Sequence, residues 1–218
     1  MDAARGVSLP SCGAILLAGG RATRVDGAAK PLFEVGGTTL LAAAVAAARS
    51  VPCAPITVVG PREDAAVEDA DALEWLREDP PFGGPAAAIV AALHAWDGRE
   101  GPLPEWTLVL ACDLPRAVDA VAQLMRDLPL LPADTDGVCL ADAASRPQWL
   151  TAAYRTASLR RAARTIPDGA RDASVRALLD DLAITVLRAP DALTADVDTW
   201  EDLEDARRRF AARETEQT

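Results

Sequence analysis

Gly13-Ala-Ile-Leu-Leu-Ala-Gly-Gly-Arg-Ala-Thr-Arg-Val-Asp-Gly-Ala-Ala-Lys-Pro-Leu32 is the stretch from which the rest of the chain can be read. The apolar run from Ala14 to Leu17 predicts a short buried strand. It breaks at Ala18-Gly19-Gly20 into a loop with little side-chain bulk, which carries Arg21 and Arg24 and closes on Lys30-Pro31. Paired glycines after a strand let backbone N–H groups turn toward an anion, and nearby cations strengthen such a site. Two readings fit: a phosphate cradle, or a strand-loop-helix corner that uses glycine only to turn. The cradle is not the dinucleotide fingerprint, whose glycine spacing Gly19 and Gly20 do not supply. Nor is it the Walker loop, because Lys30 is followed by proline. Lys30 favours the cradle. It is the only lysine in 218 residues, all other basic residues being arginine. Lysine offers a compact point charge where arginine offers a wide fork, which suits contact with a reacting phosphate.

Leu17-Ala-Gly-Gly-Arg-Ala-Thr-Arg-Val-Asp-Gly-Ala-Ala-Lys-Pro-Leu32 resembles the L-A-G-G-x-x-x-R-x-x-G-x-x-K-x-L signature of nucleotidyltransferases, and within them is most similar to the molybdenum cofactor guanylyltransferases. The resemblance implies GTP and the molybdopterin cofactor as substrates, Mg²⁺ as cofactor, and release of pyrophosphate. It implies that the backbone of Leu17, Ala18, Gly19 and Gly20, with the Arg24 side chain, holds the β- and γ-phosphates, and that Lys30 holds the transferring phosphate. Molybdoenzymes or other cofactor-assembly proteins are further partners it allows. The same signature occurs in molybdopterin cytidylyltransferases, 2-phospholactate guanylyltransferases and sugar-phosphate nucleotidyltransferases. A nucleotide-binding assembly protein without turnover is the reading from another class.

A length of 218 fits one domain, and half the residues are hydrophobic and a quarter charged, enough to fill a core. The net charge of −11 argues against a general nucleic-acid binder. Any anionic ligand must therefore be held by a local basic patch or a metal. Cys12, Cys53, Cys112 and Cys139 form no C-x-x-C pair, and with a lone His94 they make no zinc constellation. They read as reduced core thiols. Arg21 and Arg24 stand where a leader's cleavage region should be, and the apolar run before them is short. The Ala-rich stretch Leu40–Ala48 is too short to span a membrane and ends in Arg49. The chain reads as cytoplasmic, with no membrane partner.

Strands are expected at Pro55–Val59, Leu73–Arg77, Trp106–Cys112, Gly137–Ala141, Arg146–Tyr154 and Ala183–Leu187, the fifth of them antiparallel to its neighbour. Helices are expected at Leu40–Ala48, capped by Thr38 or Thr39, at Ala86–Trp96, at Arg116–Asp127, at Ser174–Asp181 and after Thr199. Glu63–Asp71 is helix-tolerant. This alternation predicts an α/β fold: a single Rossmann-like, mostly parallel, doubly wound sheet with helices on both faces, as in nucleotide-diphospho-sugar transferases. Ligands in such sheets sit at the carboxyl ends of the strands. The chain divides into an NTP- and Mg-binding half (1–115), an acceptor-facing half (116–198) and a C-terminal helix and tail (199–218).

Three further stretches carry chemistry. Glu78-Asp-Pro-Pro-Phe-Gly-Gly-Pro85 is by itself a proline-stiffened turn. It is similar to the family's second nucleotide-contacting loop, and that resemblance assigns Asp79 to the nucleotide, on guanine or on a ribose hydroxyl. Asp113 ends an apolar strand and is stopped by Pro115, so it is either a metal ligand or the cap of the helix that follows. Cys112-Asp-Leu-Pro115 resembles the family's D-x-P motif, whose aspartate holds Mg²⁺. Asp196-Val-Asp-Thr-Trp-Glu-Asp-Leu203 is a helix start, with Thr199 as cap. It also resembles N-x-N-T-P-E-D-L, with aspartates for asparagines and Trp200 for proline, which makes Asp198 a second metal ligand. In the acceptor-facing half, Arg146, Arg155, Arg160, Arg161, Arg164 and Arg171 are either anchors for an acceptor phosphate or a solvated helix face, and Trp149 or Tyr154 offers a planar ring to stack on a pterin. His94 reads as a surface residue near a helix end.

Overall fold

The computed structural model describes residues 10–20, 25, 27–63 and 66–216. Strand β1 (Cys12–Leu17) is buried along its whole length and lies inside the sheet. Its alternate residues feed two separate cores. Ala14 and Leu16 face one, Ile15 and Leu17 the other, as a period of two requires. The chain then makes a small hairpin of β2 (Glu34–Val35) and β3 (Thr38–Thr39), helix α1 (Leu40–Arg49), β4 (Cys53–Val59) and β5 (Glu74–Leu76). Next come α2 (Pro85–Asp97), β6 (Trp106–Ala111), α3 (Ala117–Asp127), β7 (Gly137–Ala141), β8 (Pro147–Arg155), α4 (Thr156–Thr165), α5 (Val175–Leu179), β9 (Ile184–Arg188), α6 (Asp191–Thr194) and α7 (Trp200–Glu216).

The main sheet runs β5-β4-β1-β6-β8-β7-β9. β8 is antiparallel to both of its neighbours, and every other pairing in the sheet is parallel. Residues of α1, α3 and α6 cover one face and residues of α2, α4 and α5 the other. The doubly wound, mostly parallel sheet read from the sequence is therefore the one observed, with its one reversed strand where the sequence placed it. Alanines make the close packing of α1 possible: Ala44, Ala47 and Ala48 are all buried against the sheet.

Local signals fix the helix starts. Thr39 accepts the Ala42 N–H at the head of α1, and Ser174 accepts the Ala177 N–H at the head of α5. Each such cap contributes about 1 kcal/mol. Thr199 and Asp202 cap α7 reciprocally: Thr199 Oγ1 accepts the Asp202 N–H, and Asp202 Oδ2 accepts the N–H groups of Asp198 and Thr199. Two expectations do not hold. The acidic stretch Glu63–Asp71 is not a helix among its described residues; it bends and ends in a short 3₁₀ turn at Ala70–Ala72. It has few apolar residues to bury, so nothing drives a longer helix onto the core. Tyr154 offers no ring to a ligand. It is fully buried in β8, and its hydroxyl donates to the Trp149 carbonyl.

A third, smaller core seats α7 on the hairpin. Val35, Leu40, Val197 and Leu203 are buried there, with Phe33 and Phe210 packed against them. This contact returns the end of the chain to the loop that carries Lys30. All four cysteines are free; Cys12, Cys112 and Cys139 are buried and Cys53 partly so. His94 is exposed.

Candidate functional site

The carboxyl ends of β1, β4 and β6 are tied together by backbone bonds. Ala18 N–H donates to the Val59 carbonyl and Cys112 N–H to the Leu17 carbonyl, at 2.9 and 3.0 Å. Gly60 makes this approach possible, because a Cβ there would lie 2.8 Å from the Ala18 carbonyl carbon. The loops that leave these strands line a cavity of about 590 Å³, a size that suits a small organic ligand. Leu17, Ala18, Gly19, Gly20, Lys30 and Asp113 all line it, as does the loop after β5. Every residue of the first motif expected at the nucleotide that falls within the described residues thus lines one cavity. Arg21 and Arg24 lie outside the described residues.

Lys30 comes from a 3₁₀ turn (Lys30–Leu32) that Pro31 starts. Its Nζ donates to Asp198 Oδ1 at 2.6 Å, and both side chains are partly buried. Asp113 stands just past β6, and its backbone carbonyl accepts the Val197 N–H at 2.9 Å. That bond lays the segment from Asp196 to Asp198 beside it. The result is a cluster in which one oxygen each from Asp113, Asp196 and Asp198 lies within 4.8 Å of the others. Asp113 is not a helix cap: the residue at the head of α3 is Arg116, and no side chain caps it.

The electrostatics of the cluster are unfavourable as they stand. Burial and then the Asp196 charge push the Asp113 carboxyl up to about 7; Asp198 adds to this and Lys30 opposes it. Asp196 is raised as well, by burial first and then by Asp198. Among the described residues the Lys30 ammonium faces the three carboxylates. The donor set is all oxygen and carries excess negative charge, which fits a hard divalent cation such as Mg²⁺ or Mn²⁺ and does not fit zinc. Asp196 was missed in the sequence. The available signal was the Asp-x-Asp spacing, which in extended backbone puts both carboxylates on one side while Val197 points into the core.

The second loop differs in detail from its expected use. Arg77, Glu78, Pro81, Phe82 and Gly84 line the cavity and Asp79 does not; Asp79 is exposed. Gly84 heads α2 with φ of 95°, a backbone that other residues rarely adopt.

The six arginines singled out between residues 116 and 198 are bound up in pairs. Arg155 reaches Glu105 and lies over the Trp106 ring at 4.7 Å. Arg160 and Arg164 both pair with Asp97, Arg161 with Asp136, Arg146 with Asp142 and Arg171 with Asp172. Trp149 is partly buried against the core beneath α2 and α4.

Comparison with known proteins agrees with this geometry. Residues 14–186 match the model of the MobA-like NTP transferase domain. A molybdenum cofactor guanylyltransferase from Nitrobacter hamburgensis is 34% identical over 110 residues, which cover 50% of this chain and 51% of that protein. The chain therefore spans about half the length of that relative. A probable molybdenum cofactor guanylyltransferase from Synechococcus elongatus is 34% identical over 166 residues, 73% of this chain and 79% of its own length. In fold, the chain is similar to the molybdopterin-guanine dinucleotide biosynthesis protein A of Archaeoglobus fulgidus, with a TM-score of 0.61, 19% identity, and coverage of 92% of this chain and 99% of that one. With a match from β1 into β9, the chain belongs to the family of MobA-like NTP transferase domains.

Proposed function

We propose that the protein transfers GMP from GTP to the terminal phosphate of molybdopterin, releasing pyrophosphate, in a Mg²⁺-dependent reaction. One observation carries this reading: the only lysine of the chain and Asp113 line one glycine-rich cavity, and Asp196 and Asp198 converge on Asp113. The names of the relatives from Nitrobacter and Synechococcus support the choice of guanine and of the molybdenum cofactor.

In the reaction, an oxygen of the acceptor phosphate attacks the α-phosphorus of GTP. The bond from that phosphorus to the bridging oxygen breaks, and pyrophosphate leaves. No side chain forms a covalent bond. The chain's work is to position the reactants and to neutralise developing charge. The backbone at Ala18, Gly19 and Gly20 would hold the outer phosphates, since no Cβ at the two glycines keeps them from the peptide N–H groups. Lys30 would meet the transferring phosphate, with Asp198 holding its ammonium on the cavity wall until substrate arrives. Asp113, Asp196 and Asp198 would hold the metal ion, which when bound supplies positive charge to phosphate oxygens. Asp202, by accepting the N–H groups of Asp198 and Thr199, fixes the backbone that presents Asp198.

The test is direct. Purified protein with GTP, molybdopterin and Mg²⁺ should release pyrophosphate and form the guanine dinucleotide, and omission of Mg²⁺ should stop both. Product from CTP and none from GTP would overturn the guanylyl assignment. Product of equal yield in the presence of a chelator would overturn the metal assignment.

A further inference from the structure

Lys30 and Asp198 meet from two segments that lie outside the main sheet. Lys30 stands on a 3₁₀ turn none of whose residues is fully buried, and Asp198 lies in the irregular stretch ahead of α7. Their ion pair is partly open to water, and such a pair contributes little toward holding two loops together. A site that works by positioning needs both groups held by more than their own charge.

A pair of aromatic rings supplies a second tie. Phe33 directly follows the Lys30 turn and is bonded into it. Its N–H donates to the Lys30 carbonyl at 2.9 Å, and its carbonyl accepts the Leu40 N–H at the head of α1 at 3.0 Å. Trp200 opens α7, and the cap built from Thr199 and Asp202 joins it to Asp198, whose N–H Asp202 accepts. The rings of Phe33 and Trp200 stack, with centroids 5.0 Å apart and planes inclined at 29°, inside the range of attractive aromatic pairs. The contacts close a circle. Charge joins Lys30 to Asp198, the helix cap joins Asp198 to Trp200, stacking joins Trp200 to Phe33, and the turn joins Phe33 back to Lys30.

Filling the core does not call for a tryptophan here. Trp200 is 46% exposed, and the third core is built from Val35, Leu40, Val197 and Leu203 without it. Nor does the helix start call for it, since the first helical position favours proline, the residue of the N-x-N-T-P-E-D-L pattern. Contact with Phe33 is what the large ring adds.

We propose that the Phe33–Trp200 stack is a clasp that fixes Lys30 and Asp198 relative to each other, and that Trp200 is a positioning residue for the metal and phosphate end of the site. The proposal rests on the nucleotide-transfer reading above.

The test is a titration of the full chain with Mn²⁺ alone, followed by electron paramagnetic resonance. Trp200→Ala should raise the Mn²⁺ Kd about tenfold, the scale of losing a group that orients a metal ligand. Trp200→Phe, which keeps a ring against Phe33, should recover most of that loss. Phe33→Leu should match Trp200→Ala, and the double variant should lose no more than either single one, because both remove the same contact. Phe210→Leu thins the same small core where the ring packs on Gly36, and it should leave the Kd within about twofold of wild type. An unchanged Kd in Trp200→Ala would overturn the proposal. So would additive losses in the double variant, or an equal loss in Phe210→Leu, which would mark a general loosening of α7. Wild-type protein that takes up no Mn²⁺ would instead overturn the metal reading, and the role of the clasp with it.

Discussion

The two halves of the sheet handle charge in opposite ways. Around β1 and β6, Asp113 and Asp196 are raised, by burial first and then by carboxylates beside them. Around β7, β8 and α4 the carboxylates are lowered. The Ser158 hydroxyl and the Ala183 N–H hold Asp136 down, the Arg146 N–H and guanidinium hold Asp142 down, and Asp97 is lowered by Arg160 and Arg164 against the opposing effect of burial. Satisfied charges stabilise a surface. Crowded like charges that raise each other's pKa are the arrangement expected where a bound cation completes the balance. The contrast sets the proposed nucleotide end apart from an arginine-rich face whose charges are paired.

The contrast can be broken most sharply at Asp113. Asp113→Ala should reduce kcat by roughly 10²–10³-fold, the scale of losing a preorganised charge-stabilising group, and should abolish Mg²⁺-dependent tightening of GTP binding. Unchanged turnover would remove Asp113 from the site. Next comes Lys30→Ala, with an expected fall in kcat of about 10²-fold and an unaltered circular dichroism spectrum. A loss confined to KM would mean that Lys30 only binds substrate.

A pH series sharpens the electrostatic side. A carboxyl raised from 3.8 in the unfolded chain to about 7 in the fold is protonated when folded and ionised when unfolded across that interval. Stability therefore falls as pH rises through it, and the full penalty is present above about pH 7. Asp113→Asn should accordingly melt a few degrees higher than wild type at pH 8 and show no gain below about pH 4. A gap that is largest in acid would reverse the sign and contradict the repulsion described for the cluster. Mg²⁺ should raise the wild-type melting temperature at pH 8 and do little for Asp113→Asn.

The smallest effect is expected on the other face. Arg164 is exposed and 3.6 Å from Asp97. Arg164→Ala should cost at most about 1 kcal/mol of stability and leave GTP binding unaltered. A tenfold loss of GTP or acceptor affinity would show that this face is not merely structural.

The fold was legible because its signals are local. Apolar runs ending in Gly19-Gly20, Gly60-Pro61 and Asp113-Leu-Pro115 mark strand ends, and Thr39, Ser174 and Thr199 mark helix starts that the structure reproduces. Lys30, Asp113 and Asp198 were legible by motif, and the fold brings them together across 168 residues of chain separation between Lys30 and Asp198. What sequence did not give depends on tertiary pairing. Asp196 joins the cluster through the bond from Val197 N–H to the Asp113 carbonyl, a tertiary contact that the Asp-x-Asp spacing hints at but does not specify. Glu78 lines the cavity and Asp79 is exposed outside it, a choice that the path of a proline-rich turn makes and its composition does not. Tyr154 looked available because aromatic residues in strands face either side, and only the register of β8 between β6 and β7 decides that it faces the core.

The central claim is that the crowded carboxylates and Lys30 form a Mg²⁺-dependent GTP site. The most direct measurement is a calorimetric panel of GTP, CTP, ATP and UTP, each with and without Mg²⁺. The account predicts tight binding of GTP alone, lost when Mg²⁺ is removed. Binding of no nucleotide under any of these conditions would contradict it and reduce the glycine loop to a turn.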